Sequence, residues 1–136
     1  MPSTTQLVVT EESKRGTLAR VASLLGKAGV NIKAFCAPAV EGHGELRLIV
    51  NDLDKARKAL KGEKLAFREE TALVLSLHNE PGALSDVAAH LHEAGINIDC
   101  AYLTPSREGK RAIVVLTVSD TQKALATLQD RSLDEI

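Results

Sequence analysis

The feature that constrains this chain most is an internal repeat with a spacing of 66 residues. Gly82 lies 66 residues after Gly16, and the same shift carries a helical apolar pattern and a glycine-containing segment from one copy onto the other. The matched positions are Leu18 and Leu84, Val21 and Val87, Leu25 and Leu91, Ala28 and Ala94, and Gly29-Val30-Asn31-Ile32 and Gly95-Ile96-Asn97-Ile98. Further along, the shift becomes 68 and takes Asp52 to Asp120. We interpret the pattern as a tandem duplication of one structural unit.

Each copy predicts a strand, a turn that contains glycine, an amphipathic helix that ends at a glycine, and a second strand. In the second copy, apolar residues recur at helical spacing from 84 to 94, and Pro81 suits a helix start because its missing N–H needs no partner there. Gly95 stands where a left-handed C-cap is commonly glycine. A turn, a third strand, a helix capped by Asp52 or Asp120 and a final strand follow. The predicted order is β-α-β-β-α-β in each copy.

This order predicts an α+β protein of two ferredoxin-like units, each an antiparallel sheet with helices on one face. The predicted domains are residues 1–70 and 71–136, with separate strands at 65–70 and 72–77. After Gln129 only a weak strand can form, so the final strand of the second unit is either missing or supplied by another segment. The strand at 111–118 is apolar on both faces, which predicts a sheet covered on both sides.

Composition excludes several classes of protein. The chain has 136 residues, 44% hydrophobic and 26% charged, which is typical of a packed globule. A net charge of -1, with two Phe, one Tyr and no Trp, gives neither the basic surface nor the stacking residues of a nucleic-acid-binding protein. No stretch approaches the roughly 20 apolar residues of a membrane span, and residues 1–6 do not resemble a secretory signal. We therefore expect a cytoplasmic protein with no membrane association.

The motifs contain no convergent set of catalytic or metal-binding residues. Cys36 and Cys100 lie in equivalent strands without a neighbouring thiol, which is typical of buried, inert cysteines. His90 and His92 are two residues apart on a helix and do not share a face, and His78 is expected to be a solvated loop residue. There is no Cys-X-X-Cys, phosphate-binding glycine loop or Ser/His/Asp order. We expect a non-catalytic protein with no cofactor and no metal.

The repeated motifs resemble those of a known family. They are Asn79-Glu80-Pro81-Gly82-Ala83-Leu84 and Ala94-Gly95-Ile96-Asn97-Ile98, with Arg15-Gly16-Thr17-Leu18 and Ala28-Gly29-Val30-Asn31-Ile32 in the first copy. Together they resemble the ACT domain, a small ferredoxin-like module that senses amino acids and other small metabolites. The resemblance covers about residues 6–129. The chain is most similar to small stand-alone tandem ACT proteins that have no enzyme attached.

The resemblance implies a ligand site near the first strand-to-helix loop, at an interface between two modules. Carried onto this sequence, the site consists of Asn79, Glu80, Pro81, Gly82, Ala83, Leu84, Asn97 and Ile98, with Gly16, Thr17, Leu18, Asn31 and Ile32 in the first copy. Helix N-termini offer unpaired N–H groups that suit a carboxylate, and an asparagine carbonyl oxygen can bind an amino group. The alternative is that the glycines and asparagines only form the turns that such a unit needs.

The first copy departs from the motif, because Ser13-Lys14-Arg15-Gly16 replaces Asn79-Glu80-Pro81-Gly82. Its site is either lost or adapted to a more anionic ligand. The resemblance implies a regulatory sensor that binds a free amino acid or a similar small metabolite at these loops, between the units. The alternative is a regulatory subunit of an amino-acid-metabolism enzyme, without a ligand of its own. We also expect a homodimer, because the double-faced apolar strand and the small core of each unit favour self-association.

Overall fold

The structure, a computed structural model, describes residues 3–12, 16–40 and 43–128. Its elements are β1 (Ser3–Glu12), α1 (Thr17–Lys27), β2 (Ile32–Cys36), β3 (Ala39–Val40), β4 (His43–Val50), α2 (Leu53–Gly62), β5 (Phe67–His78), α3 (Ala83–Glu93), β6 (Ile98–Pro105), β7 (Arg111–Val118) and α4 (Thr121–Leu128). The predicted fold of two ferredoxin-like α+β units is confirmed. Within the described ranges, every helix is too short or too polar to span a membrane.

The first compact unit comprises Thr5–Glu70. Its sheet is antiparallel: β4 pairs with β1 on one side and with β2 on the other, and the short β3 also pairs with β4. Phe67–Glu70, at the start of β5, belongs to this unit and provides the strand predicted at its end. The core between sheet and helices contains Leu7, Val9, Val21, Leu25, Leu46, Leu48, Ala56 and Leu60.

Among the described residues, the second compact unit comprises 71–128 together with Ser3 and Thr4. β7 pairs antiparallel with both β5 and β6. The predicted weak strand after Gln129 lies outside the described residues. The core of this unit contains Leu73, Leu75, Val87, Leu91, Ile96, Val114, Leu116, Val118, Ala124 and Leu128.

β5 is one strand where the sequence predicts two. The sequence predicts two strands, at 65–70 and 72–77, whereas the structure has one strand of 12 residues, Phe67–His78. The prediction of two strands is wrong because nothing between them breaks a strand: Thr71 is β-branched, and neither glycine nor proline occurs there.

Glycine and aspartate residues fix the ends of the helices, as the repeat predicts. Gly29 and Gly95 follow α1 and α3 with φ angles of +77° and +74°, the left-handed conformation that ends a helix. The carboxylates of Asp52 and Asp120 accept hydrogen bonds from the amides three residues further on, at 3.1 and 3.0 Å. Both aspartates are therefore N-caps of the helices that follow them.

The buried stripe of α1 and of α3 is shorter than predicted. Leu18 and Leu84, which the periodicity places at the start of each stripe, are 40% and 46% exposed. Val21 and Val87, less than one turn later, are buried. Among the described residues, the two core clusters have no member in the first turn of either helix. The helix starts thus extend past the cores and present apolar side chains to solvent.

β7 is buried on the face towards the helices, and on the other face Val115 is buried while Ile113 is half-buried, so the prediction of burial on both faces is confirmed only in part. Val114 and Leu116 belong to the core beneath the helices, while Val115 points to the opposite face and is 3% exposed. Val74, paired with Val115 on that face, is also 3% exposed. Val115 and Val74 are thus already covered in a single chain, whereas Ile113 on the same face is half-buried, and the homodimer stays a prediction.

Candidate functional site

The strand-to-helix loop of the second unit is a tight β-turn. The amide of Ala83 donates to the carbonyl oxygen of Glu80 at 3.3 Å, and Gly82 has φ +90° and ψ -13°. These are the features of a type II turn with proline second and glycine third. Pro81 lies two residues before α3, which begins at Ala83, so its fixed φ serves the turn rather than the first turn of the helix.

The turn leaves two backbone donors at the start of α3. The amide of Asp86 makes the first intrahelical hydrogen bond, to the carbonyl oxygen of Gly82 at 3.0 Å. The preceding amides, of Leu84 and Ser85, have no acceptor among the residues that the structure describes. Unpaired N–H groups and the positive end of the helix dipole suit a carboxylate.

The first unit repeats this backbone geometry at α1. Gly16 has φ +82° and ψ 2°, and its carbonyl oxygen accepts from the amide of Arg20 at 2.8 Å. Thr17 is buried and Leu18 half-exposed, as the first two residues of α1. Residues 13–15 lie outside the described ranges, so the comparison of the two loops starts at the glycine.

The hairpin between β6 and β7 holds the second-unit loop in place through Asn79. The Asn79 amide donates to the carbonyl oxygen of Lys110 at 2.9 Å, and its side-chain Nδ2 donates to that of Gly109 at 2.8 Å. These segments meet because β5 and β7 are antiparallel, with His78 opposite Arg111. The Asn79 side chain therefore has a structural role in fixing the loop.

A cleft of about 510 Å³ opens beside this loop. Of the predicted site residues, Glu80 and Ala83 line it; the rest of its wall comes from β5, α3, β7 and α4. The lining residues, all in the second unit, are Ser76, Leu77, His78, Glu80, Ala83, Asp86, Val87, His90, Arg111 and Thr127.

Arg111 places a guanidinium group in the cleft wall. Its Nε donates to Ser76 Oγ at 2.9 Å and its Nη2 donates to the Ser76 carbonyl oxygen at 2.7 Å. Nη1 lies 3.3 Å from Nδ1 of His78. Because Ser76 is only 4% exposed, the guanidinium is anchored on a buried residue and held in one orientation.

α3 and the loop supply negative charge to the same cleft. Asp86 and His90 are one helical turn apart, and His90 Nδ1 lies 2.8 Å from the Asp86 carbonyl oxygen and 3.6 Å from its carboxylate Oδ1. Glu80 adds a second carboxylate at the loop. Residues of both charges, together with Ala83 and Val87, therefore line the cleft.

The structure does not bring Asn97 and Ile98 to this loop. They follow α3, whose 11 residues span about 16 Å at 1.5 Å per residue. Asn97 therefore lies at the far end of the helix from Gly82. There its amide donates to Ser119 Oγ at 2.9 Å, and its Nδ2 donates to Asp99 Oδ1 at 2.8 Å.

Asn31 and Ile32 hold the corresponding place after α1. The Asn31 amide donates to Oδ1 of Asn51 at 2.9 Å, and the Asn51 amide donates to the Asn31 carbonyl oxygen at 3.0 Å. Both asparagines that follow a helix are thus engaged in the turn that starts the next strand.

Sequence reasoning missed Arg111, Ser76 and Asp86. In a β-α-β-β unit the third strand runs antiparallel beside the first, so the start of the third strand lies next to the first loop. That register was available from the predicted order, and it would have placed Arg111 near residue 79. The anchoring by Ser76 depends on side-chain geometry that no sequence pattern encodes.

Comparisons with known proteins agree with this architecture. A family model described as an ACT domain pair matches residues 3–136. Protein BT0572 from Bacteroides thetaiotaomicron has a similar structure, with 33% identity and a TM-score of 0.87, covering 95% of this chain and 88% of that one. The regulatory subunit of aspartate kinase from Thermus thermophilus, in a ligand-free form, has 15% identity and a TM-score of 0.63, covering 93% and 91%. No curated protein sequence matches the chain.

Proposed function

Because the chain belongs to the ACT domain family, as a pair of such domains, we propose that it is a non-catalytic regulatory protein that binds a free amino acid. The proposed site is the loop at residues 79–84 of the second unit. The observation that carries the proposal is the pair of unpaired amides, of Leu84 and Ser85, beside a cleft that contains charges of both signs. An amino acid is a zwitterion and requires both kinds of partner.

In this proposal the helix start binds the α-carboxylate. Gly82 is needed because its positive φ forms the turn, and no other group lies within 4 Å of the position that a side chain would take there. The carboxylate of Glu80, two residues before the glycine, is the nearest partner in the loop for the ligand's ammonium group. Asn97 stays in the proposal only as a group from a second copy of the chain, because α3 separates it from the loop of its own unit.

The structural relatives support a regulatory role. The similarity to an aspartate kinase regulatory subunit, at 15% identity, shows a common fold. We infer from this fold and from the family that the present chain is also a regulatory protein. We also propose that the chain, as such a regulator, controls a metabolic enzyme.

A thermal-unfolding screen of the full chain against the twenty free amino acids tests the proposed function. A ligand that binds only the folded chain stabilises it by about 2.7 kcal/mol at 100 times its Kd. We expect one or a few amino acids to raise Tm, and titration calorimetry should then confirm binding. If none raises Tm and none gives binding heat, the sensor proposal is wrong.

A second candidate function, a regulatory subunit without its own ligand, is favoured by exposed apolar side chains. Leu18, Phe35, Leu84 and Leu103 are 40% to 51% exposed. In this candidate function these side chains would contact a protein, either a second copy in a homodimer or a metabolic enzyme. Light scattering of a homodimer should give twice the chain mass of 14.5 kDa. A monomer that is stabilised by an amino acid would leave the sensor as the better account.

A further inference from the structure

We propose that the cleft beside the loop at residues 79–84 is the docking site of the chain's own segment 129–136, and that Leu133 is the side chain that enters it. Because the proposed amino acid site adjoins the same cleft, the segment competes with the ligand. This competition rests on the proposed function, whereas the docking itself rests on the way in which the helices of the chain end.

The helices α1, α2 and α3 end in the same backbone motif. After each helix, one amide donates to the carbonyl oxygen of a leucine five residues earlier, and the preceding amide donates three residues back. The first kind of hydrogen bond joins Val30 to Leu25 at 2.9 Å, Leu65 to Leu60 at 3.0 Å and Ile96 to Leu91 at 2.9 Å. The two bonds together form a Schellman motif, which commonly brings an apolar residue back onto the last turn of the helix.

In all three motifs the residue after the turn is aliphatic and enters the core. Val30, Leu65 and Ile96 are 6%, 5% and 6% exposed and belong to the core of their unit. The residue before each of them has a positive φ, including Lys64 at +57°, which is not a glycine. The shared sequence pattern is therefore a leucine in the last turn and an aliphatic residue five positions later.

The sequence repeats this pattern at α4. The shift of 68 residues takes Leu60 to Leu128, and it also takes Leu65 to Leu133. Leu128 is fully buried in the second core, as Leu60 is in the first. Leu133 lies beyond the described ranges, so the other three helices supply the expectation for it. A turn of the same kind after α4 directs Leu133 back onto the second unit.

The cleft corresponds to the place of Leu65 in the first unit. There the next residue is held by β1, because the Thr10 amide donates to the Ala66 carbonyl oxygen at 3.3 Å. Thr10 corresponds to Ser76, which lines the cleft. Three further residues that form or pack against the first core also correspond to cleft residues: Val21 to Val87, Leu24 to His90 and Ala59 to Thr127. The repeat thus places Leu133 at the cleft.

The cleft suits a leucine side chain and cannot hold it together with a ligand side chain in the same space. Leu77, Ala83 and Val87 belong to its wall. Leu77 is only half-buried, so a leucine placed there removes further apolar surface from water. An amino acid whose side chain enters the cleft therefore binds only those molecules in which the segment has left it, and its apparent affinity falls by that fraction.

Methyl nuclear Overhauser spectra of the full chain, with labelled Leu and Val methyl groups and without ligand, test the docking. We expect contacts from Leu133 to Leu77 and to Val87, which line the cleft. Leu65 is the internal control, because its burial in the first core should give the corresponding contacts there. If Leu65 shows contacts to its core and Leu133 shows none to the cleft, the docking is wrong.

The variant Leu133→Ser tests the competition. Its polar side chain weakens the docking, so the amino acid found by the thermal screen should bind about 5- to 20-fold more tightly than to the parent. Ile136→Ser is the matched control, since Ile136 corresponds to Arg68, whose side chain is 51% exposed. This control should bind like the parent. Circular dichroism verifies that each variant is folded, and titration calorimetry measures binding.

The outcomes separate this inference from the proposed function. If no amino acid binds the parent or folded Leu133→Ser, the proposed function is wrong, and the methyl contacts alone decide the docking. If an amino acid binds but Leu133→Ser holds it no more tightly than Ile136→Ser does, the competition is wrong. Contacts from Leu133 to the cleft together with tighter binding by Leu133→Ser would support both parts.

Discussion

Gly16 and Gly82 occupy the same place in the two units, with φ angles of +82° and +90°, and each precedes a helix of 11 residues. The residues one turn into these helices differ completely in charge, with Arg20 in the first unit and Asp86 in the second. Positive φ angles and core packing restrict what can replace a residue, whereas the side chains around the loop are not restricted in that way. The comparison indicates that duplication preserved the scaffold while the two loops diverged in chemistry.

Two arginines show the same contrast between structure and function. Arg47 in the first unit lies 2.7 Å from both Glu45 and Glu70, with a side chain only 13% exposed. Arg111 in the second unit is held by a serine and a histidine and lines a cleft. The first guanidinium belongs to an ion-paired network on the sheet, whereas the second lies in the wall of a cleft.

The largest expected effect concerns the shared scaffold. Leu25 and Leu91 are repeat partners and both are fully buried, so Leu25→Ala and Leu91→Ala should each lower the free energy of unfolding by about 2–5 kcal/mol. Urea denaturation of the two variants measures this. A loss below about 1 kcal/mol in one of them would show that the two cores are not equivalent.

The second-largest expected effect distinguishes the structural role of the glycine turn from its proposed role in binding. Alanine at a left-handed position costs about 1–2 kcal/mol, so Gly16→Ala, Gly82→Ala and Gly95→Ala should lose similar stability in chemical denaturation. Valine, being β-branched, would be more strained at φ +90° and is less suitable. Only Gly82→Ala should also weaken amino-acid binding, because its new methyl group lies beside the donors of α3.

Gly95→Ala is the control for that experiment, since its φ of +74° imposes a similar strain at the opposite end of α3. Equal binding by the folded Gly82→Ala and Gly95→Ala variants would mean that the loop is only structural.

A smaller effect is expected at the second helix of each unit. Asp52→Ala and Asp120→Ala remove N-cap hydrogen bonds of 3.1 and 3.0 Å and should each cost about 1 kcal/mol. Thermal unfolding of both variants checks this. If one of the two substitutions leaves the stability unchanged, the N-caps of α2 and α4 are not equivalent, even though the sequence repeats there.

The smallest effect depends on pH and belongs to the first unit. Burial acts to raise the pKa of the Glu70 carboxyl, but hydrogen bonds and attraction from Arg47 and Arg68 outweigh it and hold that pKa below its usual value. A carboxyl with a depressed folded pKa stabilises the fold above its unfolded pKa, near 4.5, and loses that contribution as pH falls through the folded value.

Glu70→Gln should therefore lower the free energy of unfolding by up to about 1 kcal/mol at pH 7. The difference from the parent should shrink as the pH is lowered from 4.5 towards 3, as followed by urea titrations at several pH values. A difference that stays constant with pH would show that the glutamine acts by packing rather than by charge.

The sequence repeat predicted the helices and their core residues well, because these depend on the spacing of residues that are close together in the chain. Helical spacing identified Val21 and Val87 as core residues, and the φ requirement of a helix stop identified Gly29 and Gly95. Leu18 and Leu84 match the same spacing but lie ahead of the core, which periodicity cannot reveal. The cleft was missed because it depends on contacts such as that of Arg111 with Ser76, 35 residues apart in the chain.

The central claim is that the second unit alone holds the amino acid. Amide chemical shifts of the ¹⁵N-labelled full chain, titrated with the amino acid that gives the largest increase in Tm, test it most directly. The account predicts saturable shifts for residues 80–90 and Arg111, with the first turn of α1, including Arg20, unchanged. Shifts of the same size at both helix starts, or at α1 alone, would contradict it.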